Sequence, residues 1–295
     1  MPEFTVEVAT EALTDPINLT ALTIMLLMIA FWYSARVWQT PEFVTKRTRF
    51  FDPSLTQKLQ QRFNSPSLDK FTSFFWFQVF TLSIMFQWVI CLFQGADAWR
   101  YGIPILSAVL TSFSIQLLFP VVVPIRYRDF GRDAKVRLVR LETMEVSDKI
   151  NGLLYNGLPS NHLGMILTGG WLAFAVYLVD PWVGWLVVVA MFLVFVVIFA
   201  FSVLYLGEHY WQDLLAAALV YLTMLTGVKL MIDWAFPDPV TSIAEFLPSL
   251  AVVLVLDVVL AAFLVILAWF LLPKPIPVDF VGGEEEVVVV GNLSD

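Results

Sequence analysis

Apolar residues along this chain come in long unbroken runs rather than in the alternation of strands or the narrow stripe of a soluble helix. Seven runs, about 18–37, 72–93, 102–123, 162–179, 183–206, 211–232 and 249–271, each hold close to the number of residues that crosses a bilayer (about 20). They predict seven spans. The first ends in Trp32, Tyr33 and Trp38, aromatic anchors of the kind found at a membrane–water interface. Between the first two runs lies a polar stretch, 39–71. In it, Ser54-Leu-Thr-Gln57 has the pattern of a capping box, and Leu55, Leu59 and Phe63 share one helix face. That pattern predicts a short amphipathic helix near 54–63, lying on the membrane surface. A tight Asp180-Pro-Trp turn joins spans four and five, and Phe236-Pro-Asp-Pro239 separates the last two. The chain thus divides into a polar acidic segment (1–16), a membrane bundle (17–272) and an acidic tail (273–295), in which Val287–Val290 is too short to span. No repeat of fixed period is present.

Composition agrees: 59% of the residues are apolar, 14% are charged, and the mean hydropathy is +0.79. A water-soluble core does not absorb so large an apolar share, usually about 45–50%. The fold class expected is all-α, a polytopic membrane helix bundle. Cys91 is the single cysteine, so an internal disulfide is excluded. A net charge of −8 argues against nucleic acid as a partner and would suit a salt-loving host. Of the 17 Lys and Arg, all but Arg100 and Lys229 fall on one side of the predicted spans, at the 39–71 and 124–159 loops and their margins and at Lys274 after the last span. The positive-inside rule puts that side in the cytoplasm and the N-terminus outside. The address expected is the plasma membrane of a prokaryote.

The chain has two histidines, and both stand at ends of predicted spans on that basic side. His209 precedes Asp213 by four residues, so imidazole and carboxylate share a helix face. A carboxylate on one ring nitrogen fixes the tautomer and leaves the other as a directed lone pair, which suits a nucleophile. His162 follows Pro159 and Ser160, ordinary helix-start residues that leave backbone N–H groups facing outward as an anion site. An imidazole there suits a general acid for a leaving oxygen. Arg126, Arg128 and Arg132 lie in the adjoining loop. Two imidazoles, a carboxylate, guanidinium groups and helix N–H groups describe phosphoryl transfer through a phosphohistidine, with no metal or cofactor called for.

Pro159-Ser-Asn-His162 and Ser202-Val203, five residues, His209, three residues, Asp213 resemble the second and third motifs of the type 2 phosphatidic acid phosphatase superfamily. Those motifs read Pro-Ser-Gly-His and Ser-Arg, five residues, His, three residues, Asp. The resemblance implies a six-span core, to which the seventh span is extra. It implies His209 as nucleophile, Asp213 as its orienting partner, His162 as acid for the leaving group and Ser160 as a phosphate ligand. Asn161 stands where the family has glycine, and Val203 where it has the phosphate-binding arginine. The first motif, Lys-x6-Arg-Pro, is absent; Arg128 and Lys135 alone have its spacing. Phe119-Pro-Val-Val-Val-Pro-Ile-Arg126 is similar to the Pro-rich, Arg-ended exit of the branch that includes inositol-phosphorylceramide synthases. Asn161, Arg126 and Arg128 join Ser160 as candidates for the phosphate. The substrate implied is a phosphorylated lipid, a phospholipid or a polyprenyl- or dolichyl-type phosphate, cleaved by water or by an alcohol.

Plainer readings fit parts of the same pattern. His209 and Asp213 could be a solvated helix-end pair, Ser160 only an N-cap, the arginines a headgroup patch, and two histidines on separate spans could ligate a haem. A non-catalytic scaffold or transporter would keep the bundle without the chemistry. Asp257, inside the seventh span, is expected to pair with Lys229 or to face a polar crevice. Gln78, Gln87 and Gln116 read as interhelical hydrogen-bonders.

Overall fold

A computed structural model describes residues 5–35, 41–130, 132, 135–137, 139–140, 158–177, 182–278 and 288–289. Ten α-helices run through them: α1 (Val6–Thr14), α2 (Pro16–Ala35), α3 (Pro41–Arg47), α4 (Ser54–Arg62), α5 (Pro66–Leu92), α6 (Trp99–Leu118), α7 (Asn161–Tyr177), α8 (Trp182–Leu206), α9 (Trp211–Ala235) and α10 (Ile243–Leu271). Apart from a two-residue parallel pairing of Val139–Arg140 with Val288–Val289, regular structure in the described residues is helical. This is an all-α membrane bundle. By length and composition α5, α9, α10 and the stretch Gly95–Leu118 can each cross a bilayer, and α1 with α2, bent by 62°, makes a fifth if taken as one span. The expected spans at 162–179 and 183–206 correspond to α7 and α8.

Helix α9 is the axis of the bundle and packs against α6, α7 and α10. Its inward positions, Ala217, Tyr221, Met224 and Val228, are fully buried, whereas Leu215, Leu222 and Leu230 face outward. On α10 Val255, Val258 and Phe263 are likewise exposed. In water such faces would be a liability; in hydrocarbon they are solvated. Close approach of α7 to α9 depends on Gly164, where a Cβ would lie 2.1 Å from the Tyr221 ring.

Several boundaries differ from the sequence reading. The third span stops at Leu118 because Phe119 precedes Pro120, which disfavours helical backbone. Val121 and Val122 then run beside Arg49: Arg49 N–H donates to the Pro120 carbonyl and Val122 N–H to that of Arg49. The acidic segment before the first span folds as α1 and packs on Gly95–Asp97. Helix α4 forms where expected, but its capping box does not. Asp52 accepts from both the Ser54 N–H (3.0 Å) and the Ser54 hydroxyl (2.7 Å), and outcompetes a Ser54–Gln57 arrangement. Leu55 and Phe63 remain exposed while Thr56 and Gln60 are buried against the protein.

The expectation for Asp257 is corrected in part. Lys229 pairs with Asp233 at 2.6 Å, one turn along its own helix, and Asp257 accepts from the Ser107 hydroxyl of α6 at 2.8 Å. A carboxylate one turn away holds the ammonium at less entropic cost than one across the bundle. Gln87 donates to the Met165 carbonyl and Gln116 to that of Pro159, so both tie helices together as expected.

Candidate active site

Two helix starts are brought together by backbone bonds. At the first, the Ser160 hydroxyl accepts from the Leu163 N–H (3.3 Å), the ordinary N-cap of α7. The Ser160 N–H in turn donates to the Asp213 carbonyl at 3.1 Å, which locks the start of α7 to the first turn of α9. At the second, α8 ends in a Schellman turn: Gly207 N–H bonds the Leu204 carbonyl and Glu208 N–H the Val203 carbonyl. Gly207 sits at φ +76°, where glycine is favoured, and a Cβ there would also strike Ile125 at 2.7 Å. The turn delivers His209 immediately before α9. Asp213, in the first turn of α9, reaches back to accept from the Tyr210 N–H at 2.8 Å.

The result is a line of three side chains. His209 Nδ1 lies 3.4 Å from Asp213 Oδ2, and His209 Nε2 lies 3.2 Å from His162 Nδ1. Asp213 and His209 are buried, and His162 is half-buried with its ring 4.9 Å from that of Trp76 on α5. An ionised Asp213 assigns the His209 hydrogen to Nδ1. That leaves Nε2 as acceptor and His162 Nδ1 as donor to it. The outer carboxylate oxygen, Asp213 Oδ1, is buried with no hydrogen-bond partner among the described residues. At 3.4 Å the His209–Asp213 contact is long for a hydrogen bond.

Asn161 points elsewhere. Its side chain accepts from the Ser112 and Tyr221 hydroxyls and donates to Gln116 Oε1 (3.2 Å), bonding α7 to α6 and α9. Arg126 is buried on the short helix Pro124–Phe130, whose Ile125 N–H bonds the Gly207 carbonyl (3.3 Å), two residues from His209. The Arg128 side chain lies outside the described residues. Val203 is fully buried among Trp76, Leu163 and Leu206. Among the described residues no group of three or more His, Cys, Asp and Glu could hold a metal ion.

Sequence reasoning missed the roles of three residues. Trp76 gave no signal beyond an aromatic in an apolar run. Arg137 reaches from the basic loop to form a bidentate pair with buried Asp69 of α5 (2.5 and 2.9 Å) and also donates to the Tyr205 hydroxyl (3.1 Å). Its pairing with Asp69 raises the Arg137 pKa further. Tyr210, beside the nucleophile candidate, is anchored by bonds to the Val122 carbonyl and the Tyr127 hydroxyl, both 2.7 Å. Burial pushes the Tyr127 phenol up to about 12, and that of Tyr210 upward as well.

The profile of the PAP2 superfamily matches residues 51–227, more than half of the chain. The chain belongs to the PAP2 superfamily. Membership supports a phosphoester hydrolase or phosphotransferase role, and the matched region contains His162, His209 and Asp213. It stops within α9, so α10 is an element beyond the matched PAP2 region. No curated protein and no solved structure matches the chain.

Proposed function

We propose that this PAP2 protein is an integral membrane lipid-phosphate phosphatase or phosphotransferase that works through a phosphohistidine on His209. The observation that carries the reading is the line Asp213–His209–His162, with both ring nitrogens of His209 engaged, one by each partner. His209 Nε2 attacks phosphorus as the bond to the leaving oxygen breaks, and His162 gives that oxygen its proton. His162 then takes a proton from the acceptor hydroxyl, whose oxygen displaces His209 and releases the phosphate or the new ester. Asp213 keeps the hydrogen on Nδ1 and offsets the positive charge that develops on the ring. At 3.2 Å the two imidazoles leave no room for a phosphoryl group between them, so the substrate displaces the His162 ring from His209 as it docks.

Arg126, the N–H groups at the start of α7 and the Ser160 hydroxyl are the proposed phosphate ligands; Ser160 accepts from the Leu163 N–H and keeps its own hydrogen to donate. Arg128 belongs to the same proposal by its place in the loop. A headgroup transferase of the inositol-phosphorylceramide synthase type is the second reading, favoured by the Phe119–Arg126 exit. Both readings place the site on the basic, cytoplasmic face of the plasma membrane. The test is release of phosphate or headgroup from a panel of phosphorylated lipids in detergent with EDTA, with and without added alcohols. The wild type is expected to turn over, and His209→Ala to lose about 10³-fold or more of that rate. A wild type silent on every lipid and acceptor overturns the proposal in favour of a scaffold or transporter.

A further inference from the structure

A cavity of about 410 Å³ opens between α9 and α10, within the range of ligand sites (about 300–1,000 Å³). Its lining includes Leu158 and Pro159, the residues leading into Ser160, and Gln212, which precedes Asp213. From there it runs along α9 from Gln212 past Ala216 to Leu219, about 10 Å at 1.5 Å per residue. The opposite wall is α10, with Ala268 and Leu271. Small residues on both walls, Ala216 and Ala268, keep the two helices from filling the space. Apart from Gln212 the lining side chains are apolar or aromatic, which suits an apolar guest. Gln212 Oε1 is buried without a hydrogen-bond partner, a polar atom at the site end of the groove.

We propose that this groove holds one hydrocarbon chain of the phosphate-bearing lipid, so that α10, beyond the matched region, is the element that selects the chain. The occupant is argued from proximity: the lining reaches Pro159, next to Ser160, and Gln212, next to Asp213, and follows two helices that can cross a bilayer. A chain entering from the bilayer would lie along the two helices that form the groove. The unpaired Gln212 oxygen lies where the lipid's first carbons pass and accepts from a hydroxyl or amide N–H there. This inference rests on the lipid-phosphate reading above.

The experiment is photolabelling of the full-length protein in detergent with a long-chain alkyl phosphate carrying a mid-chain diazirine, followed by peptide mapping, alongside KM for a lipid phosphate. Label is expected on residues 211–220 and 264–272 of the wild type. It is expected to disappear in Ala216→Phe and in Ala268→Phe, which fill the groove from opposite walls, with KM rising by about tenfold or more in each. Wild-type label on other helices overturns the proposal whatever the variants do. So does undiminished label in both variants. Groove labelling without phosphate release by the wild type would sink the catalytic reading and leave the groove standing; phosphate release with label elsewhere would do the reverse.

Discussion

Val203 shows how one position can separate a chain from its family's usual machinery. The motif spacing around it is intact, yet the side chain is fully buried among Trp76, Leu163 and Leu206. Restoring arginine there would bury a guanidinium in an apolar cluster. Val203→Arg is therefore expected to cost several kcal/mol, read as lower yield and a lower melting temperature in detergent; a well-folded, more active variant would contradict this. Asn161 has been drawn into the packing in a similar way, bonded to three neighbours on α6 and α9. His209, Asp213 and His162 were legible in the sequence because imidazole–carboxylate spacing carries its own chemistry. Trp76 and Arg137 were not legible, because an aromatic in an apolar run and an arginine in a basic loop look alike wherever they sit.

At the scale of elements, the basic loop is fastened by one network. Gln60 of α4 donates to the carbonyls of Tyr205 (2.8 Å) and Arg137 (3.0 Å), and the Arg137 N–H returns to Gln60 Oε1 (2.7 Å). Asp69 of α5 completes it by holding the Arg137 guanidinium. Asp69 is 2% exposed and Arg137 31%, so the pair is partly screened and is worth less than a fully buried one. Asp69→Asn is expected to destabilise by about 1–3 kcal/mol and to speed limited proteolysis after Lys135 and Arg137. Equal proteolysis rates for variant and wild type would refute the fastening role. Helix positions were readable from hydropathy, but their ends were set by local competition. Asp52 displaced the anticipated cap of α4, and Pro120 ended α6 early, neither of which a window of apolar residues registers.

For the whole molecule, the distribution of Lys and Arg proposes an orientation, with α9 beginning on the cytoplasmic side. Lys135 is exposed on that side, and Cys91 is the single native thiol. In a Cys91→Ser background, Lys135→Cys is expected to react with a membrane-impermeant maleimide in opened cells or inverted vesicles and not in intact cells. Labelling in intact cells would reverse the orientation. After α10 the chain returns to the first polar loop: Ile276 N–H bonds the Thr48 carbonyl (2.9 Å), Val278 N–H that of Thr45 (3.1 Å), and Arg49 Nε donates to the Pro273 carbonyl (3.0 Å). The Thr45–Arg49 stretch is made well before the 273–278 segment that bonds to it. The earlier helices can thus be in the bilayer before residues 243–278 supply α10 and the bonds that close onto Thr45–Arg49. A polypeptide stalled before that point would carry both histidines and the turn that aligns them, yet have no wall to hold a lipid beside them. On the proposed role of the groove, assembly and competence to bind a lipid would then arrive together, with α10.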